Sequence, residues 1–210
     1  MVIHLDFPHN VIIDGEYIIM KPGVSEEEFW EIANEDTNFE LIDGVLLIHS
    51  PASTEHEEIF KYLLQIISYY LERTAKGMVI GSRLVMRLSP KWNPEPDLMV
   101  ILKESVGRVK ETRVEGPAEV VIEILSPSTR DTDTGKKLPK YLEAGVKEVW
   151  ILDPANKEIT LHDPGATRVM DKKIDSKILP GLSIKCEWIW KRDEYPASTI
   201  IDKIRDEIDS

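Results

Sequence analysis

Four side chains stand where a sheet built only for stability would rarely put them: Glu40, Asp97, Glu123 and Lys137. Glu123 interrupts Val120-Val121-Ile122-Glu123-Ile124-Leu125, an aliphatic run closed by Ser126-Pro127-Ser128, which is the pattern of a strand covered on both faces. A lone charge there costs several kcal/mol unless a cation or a metal lies beside it. Asp97 opens a second apolar run, Leu98 to Leu102, and two apolar strands joined by a loop are expected neighbours. Carboxylates paired across adjacent strands suit Mg²⁺, which takes hard oxygen ligands and keeps several waters. Such an ion acidifies a bound water and neutralises charge on a phosphoryl oxygen. A nearby lysine orients or deprotonates the attacking water and stabilises the pentacovalent phosphate.

The elements that must position these groups follow from local signals. Residues 1–24 read as an irregular arm with a short strand at Tyr17 to Met20. Ser25 and Glu28 form a capping box before a short helix. Asp43-Gly44, flanked by Phe39 to Ile42 and Val45 to Ile48, predicts a type I′ hairpin that carries Glu40 in its first strand. Thr54 and Glu57 predict a second capping box, opening a long amphipathic helix that runs to about Arg73. Met78 to Leu88 reads as a strand, and Lys103 to Gly116 as a surface loop. Pro139 is tolerated only in a first helical turn, so Lys137 stands where a helix opens. Its neighbour Lys136 diverges by about 100°. Strands follow at Val149 to Leu152 and Ile159 to His162, then a late edge strand at Leu182 to Trp190 and a short amphipathic tail. This order predicts an α/β (α+β) protein with a mixed sheet flanked by helices. The expected division is an arm at 1–24, one domain at 25–195 and a tail at 196–210.

Composition narrows the function classes. Lys and Arg number 26 against 38 Asp and Glu, a net charge of −12, which disfavours indiscriminate attraction to a polyanion but leaves room for a local basic groove. Cys186 is the single cysteine, excluding an intrachain disulfide and a cysteine-based metal site. No run of eighteen apolar residues occurs, and the start lacks a secretory pattern, so a soluble cytoplasmic protein without membrane contact is expected. The five histidines show no i, i+4 pair, and no G-x-S-x-G elbow or phosphate-binding glycine fingerprint occurs.

Arg130, Lys136 and Lys140 follow the Glu123 strand, and Arg108 and Lys110 lie in the loop before it. These five are candidates for backbone phosphate contacts. The alternative is a solvated loop neutralised by Glu104, Glu111 and Glu115. His56 either packs in its capping turn or approaches the acids as an accessory group that touches phosphate or water.

The ordered string Pro96-Asp97, Glu123-Ile124-Leu125-Ser126-Pro127-Ser128-Thr129, Asp133, Lys137, Tyr141, Gly145-Val146 and Trp150-Ile151-Leu152-Asp153-Pro154 resembles a large bacterial group of restriction-endonuclease-like proteins. That group lies within the PD-(D/E)XK nuclease superfamily. Glu40-Leu41-Ile42-Asp43-Gly44, Ser50-Pro51 with His56, and Leu179-Pro180-Gly181-Leu182 extend the resemblance over about residues 39 to 190. It implies a restriction-endonuclease-like core and DNA cleavage dependent on Mg²⁺ or Mn²⁺, with a homodimer plausible. It further implies that Asp97, Glu123 and the Ile124 carbonyl hold the metal, that Glu40 is the additional acid, and that Lys137 is the catalytic lysine. The superfamily lysine two residues after the glutamate is replaced here by Leu125, so the amine must arrive from the following helix, which a long flexible stem permits. The rival reading is an inactive protein of the same fold that binds nucleic acid or serves assembly.

Overall fold

In the computed structural model, which describes residues 17–34, 37–81 and 83–208, the first sheet forms around the Asp43-Gly44 turn. Their φ angles are 53° and 74°, the left-handed pair that a two-residue hairpin requires. β1 (Ile18–Pro22) is followed by α1 (Glu26–Ile32), which starts on the expected capping box: Ser25 Oγ accepts the Glu28 N–H and Glu28 Oε2 accepts the Ser25 N–H. β2 (Phe39–Ile42) and β3 (Val45–His49) make the hairpin, and β1 pairs with β3 on its far side.

α2 (Thr54–Thr74) is the long amphipathic helix, but its cap is Ser53 and not Thr54. The Ser53 hydroxyl, on extended backbone, accepts the His56 N–H at 3.2 Å. The run expected as one strand from Met78 to Leu88 is two, β4 (Gly77–Gly81) and β5 (Val85–Arg87), because the chain breaks at Arg83 with φ of 64°. β6 (Trp92–Asn93) pairs with β2, and β7 (Leu98–Leu102) pairs with β4. The expected loop at 103–116 instead holds a 3-10 helix, Lys103–Arg108, and β8 (Arg113–Glu115), parallel to β5. Buried Glu119 pins its start, accepting from the Leu102 N–H and the Ser105 hydroxyl.

β9 (Val120–Ile124) leads into α3 (Arg130–Thr132), a π-helical turn at Asp133–Lys137 and α4 (Leu138–Ala144), then β10 (Glu148–Asp153). β11 (Glu158–Asp163), β12 (Ala166–Val169), β13 (Lys173–Ile174) and β14 (Ile184–Lys185) follow. The predicted late strand at 182–190 stops after β14 and continues as α5 (Cys186–Trp190). The adjacent residues Trp188 and Ile189 are both buried, which a strand with one solvated face could not achieve. α6 (Ala197–Ile208) packs against α2 and buries Ile200 and Ile204 in the main core.

The large sheet runs β12-β11-β10-β9-β7-β4, and only β9 and β10 are parallel, joined by the α3–α4 crossover. Val120, Ile122 and Ile124 pack with α2 residues such as Leu63 and Ile67, whereas Val121 and Leu125 pack with Tyr141 and Val146 on the α4 side. Side chains alternate along a strand, so Glu123 points toward α4, away from the larger core. The fold is a mixed sheet flanked by helices. Among the described residues no helix is long and apolar enough to cross a membrane.

At the edge of that sheet, a methyl group on Gly77 would stand 2.2 Å from the Ile101 carbonyl oxygen and 2.8 Å from Leu102 Cα, backbone atoms that cannot yield. Gly77→Ala is expected to cost about 2 kcal/mol. Urea denaturation should show this as a lower midpoint at an unchanged slope.

Candidate functional site

The strand register brings the first two acids together. β7 and β9 pair Leu98 with Ile122 and Met99 with Val121, and one further step sets Asp97 opposite Glu123. The Asp97 N–H donates to Glu123 Oε2 at 3.3 Å, and the Ile124 N–H donates to Asp97 Oδ2 at 2.7 Å. Both carboxylates face one cavity, close to the C-terminal end of the parallel pair, where open α/β sheets place their ligands.

Lys137 reaches the same place from the crossover. The π turn winds one extra residue into the chain before α4, a device found often at functional sites. Lys137 Nζ lies 2.9 Å from Glu123 Oε1, 3.0 Å from Glu40 Oε1 and 3.0 Å from Asp133 Oδ1, with its side chain only 4% exposed. Burial alone would lower its pKa, but Asp133, Glu123 and Glu40 outweigh it and hold the ammonium well above the ordinary lysine value. Lys137 is therefore a fixed cation in this arrangement and a poor proton acceptor.

Glu40 is pinned at both oxygens. Oε1 accepts the Glu95 N–H at 2.7 Å, and Oε2 meets His49 Nε2 at 2.9 Å. Burial opposes its ionisation, but Lys137 and His49 prevail and bring its pKa down to about 2. Glu123 goes the other way. Burial raises it to about 8 despite Lys137, with Asp133, Asp97 and Glu40 adding to the rise. Tyr141, fully buried on α4, donates its hydroxyl to Glu123 Oε1 at 2.7 Å. His56 Nε2 lies 3.1 Å from Asp97 Oδ1; burial would lower this histidine, but Asp97 lifts it to about 9. Glu95 Oε2 is buried without a hydrogen-bond partner among the described residues, and burial together with Glu40 pushes that carboxyl up to about 8.

Glu40, Asp97, Glu123, Ile124, Lys137 and His56 thus line one cavity. The five candidate phosphate contacts do not. Arg130 is held by Asp153 through two bonds of 2.7 Å, Arg108 donates to the Pro117 carbonyl, and Lys110 donates to the Gly107 carbonyl. Lys140 sits 3.2 Å from Glu143 and over the Trp92 ring, and Lys136 is exposed. Four residues of the site went unassigned in the sequence: His49, Glu95, Asp133 and Tyr141. Asp133 had a legible signal, since it precedes Lys137 by one i, i+4 step. His49 had another, because it sits two places along β3 from Leu47, the direct partner of Glu40, and so shares its face.

The donor set fits a hard divalent cation. Five carboxylates, from Glu40, Glu95, Asp97, Glu123 and Asp133, face the cavity against Lys137 and His56, and the neighbouring acids add to the rise that burial imposes on Glu123. Among the described residues no three acid, histidine or cysteine side chains converge to enclose an ion. An ion here would rest on Asp97, Glu123, the Ile124 carbonyl and retained water, which suits Mg²⁺ or Mn²⁺.

Removing the ammonium leaves its three carboxylates buried and uncompensated. Lys137→Met is expected to destabilise the metal-free protein by about 3–5 kcal/mol at neutral pH. The deficit should narrow as pH falls. Wild-type Glu40 has a depressed pKa, so its stabilisation is present above the unfolded value near 4.5 and is lost toward pH 2. In the variant the folded-state pKa rises instead, and stability is regained on acidification. Chemical denaturation of both proteins from pH 7 to pH 4 tests this.

With the geometry established, comparison with known proteins gives three results. The model of the family described as "Uma2: Putative restriction endonuclease" matches residues 26–187. No curated protein matches the chain significantly. Among solved structures, the chain is similar to one described as a "putative nuclease belonging to DUF820" from Anabaena variabilis ATCC 29413, with a TM-score of 0.69 at 17% identity, covering 80% of this chain and 97% of that one. That likeness establishes a shared fold. The family match spans most of the sequence, and the chain belongs to the Uma2 family, a restriction-endonuclease-like branch of the PD-(D/E)XK superfamily.

Proposed function

We propose that this chain is a divalent-metal-dependent endonuclease that hydrolyses DNA phosphodiester bonds. Membership of a family described as "Putative restriction endonuclease" supports nuclease chemistry in general. The observation that carries the finer reading is the meeting of Asp97, Glu123 and Lys137 at one cavity wall, from three separate elements.

In this reading Asp97, Glu123 and the Ile124 carbonyl hold Mg²⁺ or Mn²⁺, which supplies Lewis acidity and an acidified water when bound. The remaining work falls to the protein. Lys137, kept charged by its partners, offers a preorganised ammonium to the negative charge that grows on the phosphoryl oxygens. Glu40 and Asp133 anchor that ammonium from behind, and His49 fixes Glu40 in turn. His56 holds Asp97 Oδ1, and the Ile124 N–H holds Oδ2, so the carboxylate keeps one orientation. Tyr141 and Lys137 both donate to Glu123 Oε1, which leaves Oε2 on the Asp97 side of the pocket. Cutting both strands with one such site per chain calls for two chains, so a homodimer is part of the proposal.

Incubation with plasmid, single-stranded DNA and RNA across Mg²⁺, Mn²⁺ and Ca²⁺ tests the activity. DNA cleavage in Mg²⁺ or Mn²⁺ is expected, falling by about 10² or more in Asp97→Asn and in Lys137→Met. Cleavage that survives both substitutions would remove the mechanism, whereas binding without turnover would favour an inactive protein of this fold. Calorimetric titration with Mn²⁺ provides an independent check. Glu123 must lose its proton to bind a metal, so affinity should rise between pH 6 and pH 8, the region below its pKa of about 8, with proton release seen in the buffer dependence of the heat. Binding unchanged by Asp97→Asn would remove that residue as a ligand.

A further inference from the structure

A second cavity, of about 280 Å³, opens off the first. It shares Asn38, His56, Glu95 and Asp97 with the acid pocket and adds Glu57 and Arg83. The added arginine differs from every other arginine in the chain. Arg87 is paired with Glu26, Arg113 with Glu115, Arg130 with Asp153, Arg168 with Glu148, Arg192 with Glu55 and Arg205 with Asp202. Arg108 donates to a carbonyl, and Arg73 also has a partner. Among the described residues Arg83 alone makes no direct hydrogen bond or close ion pair; it borders a mouth lined by three carboxylates and acts only through its charge on Glu95, whose ionisation it favours.

Its backbone is a second and independent anomaly. Arg83 breaks the chain between β4 and β5 with φ of 64°, a left-handed conformation that glycine adopts freely and a long side chain does not. An exposed arginine at such a position, with no direct hydrogen bond or close ion pair among the described residues, gains little for stability beyond its charge on Glu95. Observed strain of this kind points toward function. A guanidinium presents a planar fork of donors matched to phosphate oxygens.

We propose that Arg83 binds a backbone phosphate next to the scissile phosphate, guiding the strand to be cut past His56 onto Asp97 and Glu123. This rests on the endonuclease reading for the identity of the ligand. It also accounts for how a chain of net charge −12 could admit a polyanion: the required positive charge is local, at the cavity mouth, and not spread over the surface.

The test uses the full chain, fluorescent single-stranded and duplex oligonucleotides of DNA and RNA, and Ca²⁺ buffers over a range of salt, with cleavage in Mg²⁺ measured in parallel. Arg83→Gly should weaken binding about tenfold and reduce the slope of log Kd against log salt by about one. Because glycine accepts the left-handed backbone, the same variant should melt about 2 °C higher than wild type. Arg83→Lys should keep the salt slope while losing part of the affinity. Unchanged affinity and slope in Arg83→Gly would overturn the proposal, whether or not wild type cleaves. Binding that depends on Arg83, with no cleavage by any form, would uphold it and sink the endonuclease reading. A wild-type chain that binds none of the four nucleic acids would overturn both.

Discussion

One buried ammonium organises the site. Lys137 is almost fully excluded from water and touches carboxylates of Glu40, Glu123 and Asp133 within 3.0 Å. An isolated charge at such a position would be prohibitively costly, and three like charges gathered without it would be worse. The lysine and its acids therefore stabilise one another, and each fixes an element: the hairpin through Glu40, the central strand through Glu123, and the crossover through Asp133. The site is a structural knot between the hairpin's four-stranded sheet and the six-stranded sheet as well as a candidate reaction centre. The ammonium is outnumbered, however, and in the proposed reading a bound cation would offset that surplus of carboxylate.

The elements with local causes were legible in the sequence. Asp43-Gly44 demanded its hairpin, Ser25 and Glu28 their capped helix, and the aliphatic run around Glu123 its fully buried strand, because each signal acts within a few residues. Elements decided by distant contacts were not. The stretch after Leu102 reads as a polar loop until buried Glu119, just ahead of β9, takes up its hydrogen bonds. Cys186 to Trp190 is an apolar run too short for its period to distinguish strand from helix, and packing against the main core selects the helix.

The site shows the same division. Glu40, Asp97, Glu123 and Lys137 stood out as charges in awkward places. Their supports, His49, Glu95 and Tyr141, did not, since a histidine ending a strand, a glutamate between prolines and a tyrosine on a helix are all ordinary until their partners are known. Surface charge was the least informative signal. A cluster of lysines and arginines in sequence says nothing of where each points, and Arg130 spends its guanidinium on Asp153 at the far end of β10.

The π turn between α3 and α4 carries a further implication. It holds one residue more than regular helical winding would, and that surplus sets the angular phase at which the lysine leaves the backbone. Trimming a single residue from 133–137 would turn the side chain by about 100°, aiming it at solvent with every nearby sequence motif intact. A lineage could thus gain or lose its buried amine by one codon's insertion or deletion, without altering any of the residues by which such proteins are aligned.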